Sequence, residues 1–156
     1  MKKAFNYHYS LGEITLAEED GRLTEVIFKD EKIRGPWEPG ETPLLRETDR
    51  QLREYLDGRR KVFDLPLRQV GTEFERTVWA ALLTIPWGET RTYADIARQI
   101  GRPSACRAVG RANGLNPISI IVPCHRVIGS NGRLTGYAGG LDLKERLLRL
   151  EGRKDD

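Results

Sequence analysis

Only two cysteines and two histidines occur among the 156 residues. That scarcity argues against a disulfide framework, which in any case suits secreted rather than cytosolic chains. A four-ligand zinc site would have to recruit His8, Cys106, Cys124 and His125 together, and they form no Cys-x-x-Cys or His-x-x-x-His pair. No metal and no cofactor are therefore expected. No run approaches the ~20 apolar residues that span a bilayer, so no membrane partner is expected either. The opening MKKAFNYHYSLGE begins basic but lacks an apolar core and a cleavage site, so it does not read as a signal peptide, and the expected location is the cytoplasm. Internal repeats and low-complexity segments are also missing.

Lysine is absent from one long stretch, and arginine takes its place. Between Pro86 and Gly136 there are seven arginines, no lysine, and only Glu89 and Asp95 as acids. Residues 1–66 carry 12 basic and 14 acidic side chains, whereas residues 67–156 carry 14 and 9, so the overall charge of +3 is carried by the second half. A planar guanidinium suits phosphate and base contacts better than an ammonium does. Either this is a solvated basic face or it meets a polyanion, and the second holds if the arginines share one structural element.

The fold class expected is α/β (α+β): a small strand-rich N-terminal domain with one helix, over residues 1–68, and a mainly helical C-terminal domain over 69–156. EITLAEEDGRLTEVIF alternates, breaks at Asp20-Gly21 and resumes, a hairpin signature. GPWEPGETP (35–43) reads as a connection, and LLRETDRQLREYLDG repeats leucine at helical spacing (Leu45, Leu52, Leu56) up to Gly58. KVFDLPL is a short strand or linker, with the boundary near Leu67–Val70. Beyond it, helix starts are legible. Thr72 with Glu75 and Thr92 with Asp95 form capping boxes, and DLKE (142–145) predicts a third, for a helix running to about Leu150. Phe74, Val78, Ala81 and Leu82 define the buried face of the first of these helices. Ser104 is expected to cap a helix from Ala105 to about Asn113.

TYADIARQIGRPSACRAVGRANG (92–114) has the order helix, glycine-containing turn, helix, which is the helix-turn-helix arrangement. Its second helix has small faces (Ala105, Ala108, Gly110, Ala112) with Arg107 and Arg111 one turn apart. Small side chains permit close approach to a narrow groove. They also permit tight helix packing, so composition leaves both uses open.

One cysteine and one histidine stand side by side in SIIVPCHRVIG (119–129). Pro123 cannot donate to a ladder, so a strand over ISIIV is expected to end where Cys124 begins. A cysteine behind an apolar run is commonly buried and inert. Here, however, His125 and Arg126 follow, and both can stabilise the thiolate form. GSNGRLTGYAGG (129–140) then supplies a loop with Tyr137 in it. Adjacent side chains on a strand point to opposite faces, so Cys124 and His125 cooperate only if the chain turns at Pro123 or a water bridges them. Such a histidine needs a third group to orient it. Glu151 stands at a helix C-terminus, where the macrodipole disfavours an anion. It is an exposed glutamate, a partner of Arg153, or that orienting group.

The segments TEFERTVWAALLTIPWGETRTYADIA (72–97), RAVGRANGLNPISIIVPCHRVIG (107–129) and PCHRVIGSNGRLTGYAGGLDLKERLLRLEG (123–152) strongly resemble the O6-alkylguanine-DNA alkyltransferases, or methylated-DNA–protein-cysteine methyltransferases. The resemblance implies direct repair of O6-alkylguanine in double-stranded DNA, by flipping the base out through the minor groove and moving its alkyl group irreversibly to the protein. It assigns Cys124 as acceptor, His125 as water-mediated base, Glu151 as the carboxylate orienting it, Asn116 as holder of the active-site turn, and Tyr93 as the contact to guanine N3. Arg107 would fill the gap left by the flipped base, with Ser104, Ala105, Ala108, Arg111 and Arg126 as further DNA contacts. Pro123, Val127, Tyr137 and Ala138 would line the pocket, the carbonyls of Cys124 and Val127 reading the exocyclic amine. The protein would work as a monomer, associated with the nucleoid through DNA.

Departures from the pattern also carry weight. Some relatives bind zinc in the N-terminal domain, but this one offers only His8. Ala138 stands where several relatives have serine, and Cys106 reads as a small packing residue. Two other functions stay open at this point. One is a lesion-sensing DNA-binding protein that never becomes alkylated. The other is a cysteine hydrolase, which would lack a separately placed histidine base.

Overall fold

The computed structural model describes residues 1–152. Arg153, a possible partner of Glu151, lies outside the described residues, as does the rest of the tail of the expected C-terminal domain. The chain divides into two compact units, Met1–Val70 and Gly71 onward.

In the first unit, β1 (Lys2–Tyr9), β2 (Gly12–Glu19), β3 (Arg22–Phe28) and β4 (Trp37–Pro39) form one sheet in the order β3-β2-β1-β4. β1–β2 and β2–β3 are antiparallel, and β4 runs parallel to β1. Asp20 and Gly21 adopt φ 54° and 78°, the left-handed pair that a two-residue hairpin requires. Helix α1 (Pro43–Leu56) packs on this sheet, capped by the Thr42 side chain and ended before Gly58 at φ 77°. Leu45 and Leu52 are fully buried with Ile14, Leu16, Leu23 and Val26, while Tyr55 takes the core position expected of Leu56, which is half-buried. KVFDLPL returns to the sheet at a single bridge, with Leu23 N donating to Pro66 O (2.8 Å) and Arg68 N to Leu23 O (2.9 Å).

The second unit contains α2 (Glu73–Leu82), β5 (Arg91–Thr92), α3 (Tyr93–Gln99), α4 (Cys106–Gly114), β6 (Val127–Ile128) and α5 (Leu141–Leu150). The boxes at Thr72/Glu75 and Thr92/Asp95 both form. On α2, Val78, Ala81 and Leu82 are buried as expected, but Phe74 is half-buried beneath the Arg102 guanidinium (5.7 Å). The large core residue is Trp79, whose indole donates to Ala112 O (2.8 Å) and so fixes α2 against α4.

Two expected caps do not form. Ala105, not Ser104, occupies the cap position of α4, and no side chain bonds there. The turn after α3 is closed by Arg102 N to Ala97 O and Ala105 N to Arg102 O, both 2.9 Å, which holds Ser104 inside the turn. At α5 the cap position falls on Gly140 at φ 94°, so Asp142 lies within the first turn. There its carboxylate still opposes the positive end of the helix dipole.

Candidate active site around Cys124

The apolar run before Cys124 is not a strand. Residues 116–128 are all buried, but the chain winds through successive turns, with Ile121 N donating to Ser119 O (2.8 Å) across Ile120 at φ 72°. Asn116 explains the difference from the expected ISIIV strand. Its Nδ2 donates to Val122 O (2.8 Å) and Ile118 O (3.4 Å), and its Oδ1 accepts from Ile118 N (3.1 Å). One side chain thus takes the backbone groups that a ladder would have used. Pro123, at φ −81° and ψ 64°, completes a tight turn in which Cys124 N donates to Val122 O (2.8 Å). Cys124, His125 and Arg126 follow as one turn of 3₁₀ helix.

This turn aims His125 and Arg126 at the end of α5. His125 is fully buried, and its Nε2 lies 2.8 Å from Glu151 Oε2. Arg126 donates from Nε to Glu151 Oε1 (2.7 Å), from Nη2 to Oε2 (2.9 Å) and from Nη1 to Ile85 O (2.7 Å). Burial alone would raise the Glu151 carboxyl, but hydrogen bonds from His125 and Arg126 outweigh it and hold the group down to about 2. Glu151 is therefore ionised and can only accept, so the His125 proton sits on Nε2. Burial pushes His125 below its ordinary value, against the raising effect of Glu151. The ring is neutral near pH 7, and its Nδ1 makes no hydrogen bond among the described residues. A neutral imidazole with an oriented, unprotonated Nδ1 is the arrangement of a general base.

Arg126 was expected on the DNA surface, and that expectation is corrected. Its side chain is 8% exposed and its donors are turned onto Glu151 and Ile85.

Two further side chains tether the site by its carbonyls. Asn113, at the buried face of α4, donates to Cys124 O (3.3 Å). Lys144, fully buried, donates to Val127 O and to Thr135 O, both at 2.7 Å. Parallel pairing of Arg91 with Val127 and Thr92 with Ile128 brings the start of α3 beside this segment. Tyr93, the next residue, sets its ring against Gly110 of α4 and its hydroxyl 2.7 Å from Thr135 Oγ1. Ser104, Arg107, Ala108 and Arg111 are exposed on or beside α4, and Ala105 and Cys106 are half-buried. Pro123 and Val127 are buried, Tyr137 is half-buried and Ala138 is exposed. Neither cysteine is in a disulfide, and no group of three metal-ligating side chains occurs among the described residues. No helix among them is long and apolar enough to cross a membrane.

Residues 73–153 match the family model of the 6-O-methylguanine DNA methyltransferase DNA-binding domain, and residues 4–69 that of the same enzyme's ribonuclease-like domain. The chain belongs to the 6-O-methylguanine DNA methyltransferase family. It is 56% identical over 146 residues to the methylated-DNA–protein-cysteine methyltransferase of Methanosarcina acetivorans, covering 91% of this chain and 93% of that one. The constitutive enzyme of Bacillus subtilis is 50% identical over 148 residues, covering 90% of each. Among solved structures, Mycobacterium tuberculosis OGT in complex with DNA superposes with TM-score 0.90 at 48% identity, over 96% of this chain and 92% of the other.

As a member of this methyltransferase family, the chain is a DNA-repair alkyltransferase. Two of its site residues escape a reading of the sequence alone: Asn113 and Lys144. Lys144 left a signal, because it shares its helix face with Leu147, Leu148 and Glu151. A lysine at a core position of an amphipathic helix needs buried acceptors.

Proposed function

We propose that this chain removes the alkyl group from O6-alkylguanine in duplex DNA and keeps it on Cys124. The exposed face of α4 approaches the minor groove, where small Ala108 lies between Arg107 and Arg111. Arg107 enters the stack as the damaged nucleotide leaves it, offsetting part of the few kcal/mol that extrusion costs. The Cys124 proton passes through a bridging water to His125 Nδ1, and Glu151 stabilises the resulting imidazolium. The thiolate sulfur attacks the alkyl carbon, a C–S bond forms, the C–O6 bond breaks, and its electron pair stays on the guanine. A hydrogen bond from Tyr93 to N3 stabilises that developing charge. Within the protein, Val127 O accepts from Lys144, and Cys124 O accepts from both Asn113 and the Val127 N–H that closes the 3₁₀ turn. A carbonyl has two lone pairs, so Val127 O retains acceptor capacity for the exocyclic amine, whereas Cys124 O would receive it by exchanging its longer bond, the one from Asn113 (3.3 Å). The thioether is chemically stable, so each molecule acts once.

The observation that carries this reading is the buried, ionised Glu151 bound to the histidine adjacent to Cys124. The test is the intact mass of the protein after incubation with duplex DNA containing one O6-methylguanine. A stoichiometric gain of one CH2 group, absent in Cys124→Ala, is expected. Tight lesion-selective binding with no mass gain would instead make the chain a lesion-binding protein that does not react.

A further inference from the structure

Thr135 lies in the loop between β6 and α5, and no role in the reaction above uses it. It is nevertheless tied at two points to groups that the reaction does use. Its hydroxyl lies 2.7 Å from the Tyr93 hydroxyl, and its carbonyl accepts from Lys144 Nζ at 2.7 Å. Lys144 binds Val127 O at the same distance, and Val127 pairs with Arg91, two residues before Tyr93. The bracket therefore closes on itself. The backbone leading to Tyr93 is held by β6, and its phenol is held by a loop residue pinned to the same strand, at Val127 O, through one buried ammonium. Gly110 lies against the side of the ring: a Cβ there would be 3.7 Å from Tyr93 Cδ1 and Cε1. The ring is thus supported on one side, and its polar end has a single direction.

We infer that Thr135 is a positioning residue for alkyl transfer, acting through the Tyr93 hydroxyl; this rests on the transfer reaction proposed above. A phenol is the more acidic of the two hydroxyls, so in the resting protein Tyr93 donates and Thr135 Oγ1 accepts. When the base arrives, Tyr93 turns its proton toward the ring nitrogen. A threonine hydroxyl is both donor and acceptor, so Thr135 then rotates its own proton onto the Tyr93 oxygen. No proton changes owner. The chain of hydrogen bonds Thr135 to Tyr93 to base strengthens as negative charge grows on the base, because each bond polarises the next. A valine in place of Thr135 would keep the shape and lose both functions of the hydroxyl.

The experiment compares Thr135→Val and Thr135→Ser with the unaltered full-length protein on duplex DNA carrying O6-methylguanine, reading the saturating single-turnover rate and the half-saturating concentration separately. Thr135→Val should slow the saturating rate about fivefold, the size of one neutral hydrogen bond, and leave half-saturation within about twofold. Thr135→Ser should recover most of the rate. In a Tyr93→Phe background, Thr135→Val should have no further effect, since its hydroxyl acts only through the phenol. Equal loss in the serine and valine variants, or an undiminished valine effect on top of Tyr93→Phe, would overturn the inference and reduce Thr135 to a loop-packing residue. A full rate in Thr135→Val would also overturn it while leaving the transfer reaction intact. Failure of the unaltered protein to gain mass would remove the reaction itself.

Discussion

Arg50 on α1 and Arg126 beside Cys124 make similar contacts in opposite surroundings. Arg50 donates from Nε to Glu47 (2.9 Å) and from Nη1 to Glu54 (2.8 Å), with its side chain 54% exposed. Arg126 spreads its donors over Glu151 and Ile85 O with its side chain 8% exposed. An exposed pair trades hydration for attraction nearly evenly. A buried one has given up its hydration, so each member depends on the other. In the strand-rich unit, the closest counterpart is Glu25, buried and held by Lys2 and Arg34 N, with no reactive group attached. The arrangement around Glu151 fixes the histidine proposed as base and a buried arginine with one carboxylate, so the proposed chemistry and the stability of the second unit would share one group.

The largest effect that would sharpen this contrast comes from Glu151→Gln. The amide keeps the shape and can still bond His125, but Arg126 is left buried without a counter-charge. Loss of one partner of such a pair costs about 3 kcal/mol or more, to be read from urea denaturation. Cys124 alkylation should slow, while affinity for undamaged duplex stays close to that of the parent. A variant as stable as the parent would break the comparison. Weakened DNA affinity with full reactivity would reject the relay.

Acid and alkali should separate the two units. Glu151 is held to about 2, below its ordinary 4.5, so its contribution is complete above pH 4.5 and is lost as pH falls toward 2. His125 is held below 6.5 by burial, so below pH 6.5 the unfolded chain binds more protons and stability already declines there. In the first unit, burial and hydrogen bonds to Glu41 and Asp49 raise Tyr7 and Tyr9 above their ordinary 10. A raised pKa contributes stability below pH 10 that is lost as pH rises beyond it. Urea midpoints should therefore fall between pH 7 and 5 when followed by tryptophan emission, to which buried Trp79 contributes. They should fall above pH 10 when followed by the circular dichroism of the strands. Reversed sensitivities would contradict the assignment of buried charge to the second unit.

Local chemistry made much of this molecule legible in its sequence. Asp20-Gly21 specifies a hairpin by its backbone requirement alone, and the Thr72/Glu75 and Thr92/Asp95 boxes need only four residues each. Reading failed where a distant partner or a neighbouring turn decided the outcome. Ile118–Val122 has the composition of a strand, and the side chain of Asn116 prevents one. Ser104 and Asp142 have capping side chains, but the turns before them end elsewhere, at Ala105 and Gly140. Arg126 looks like surface charge until Glu151, 25 residues later, folds beside it. The identities of Cys124 and His125 suggested reactivity, and the unfavourable place of Glu151 at a helix end, with the family resemblance, offered the carboxylate that bonds His125; the Asn113 contact to Cys124 O left no such sign.

The smallest expected effect tests the other side of the comparison. In Arg50→Ala no carboxylate is left alone: Glu54 keeps Arg60 (2.8 Å) and Glu47 keeps the Gln51 amide (2.7 Å). Alanine is also the stronger helix former, which offsets part of any lost attraction. The urea midpoint should stay within error of the parent, and added salt should not separate the two proteins, since exposed pairs are already screened. A loss approaching that of Glu151→Gln would mean that the charges on α1 are coupled as tightly as those at the site. Burial would then not be what distinguishes Arg126 from Arg50, and the fixed geometry of a bidentate guanidinium would have to account for both.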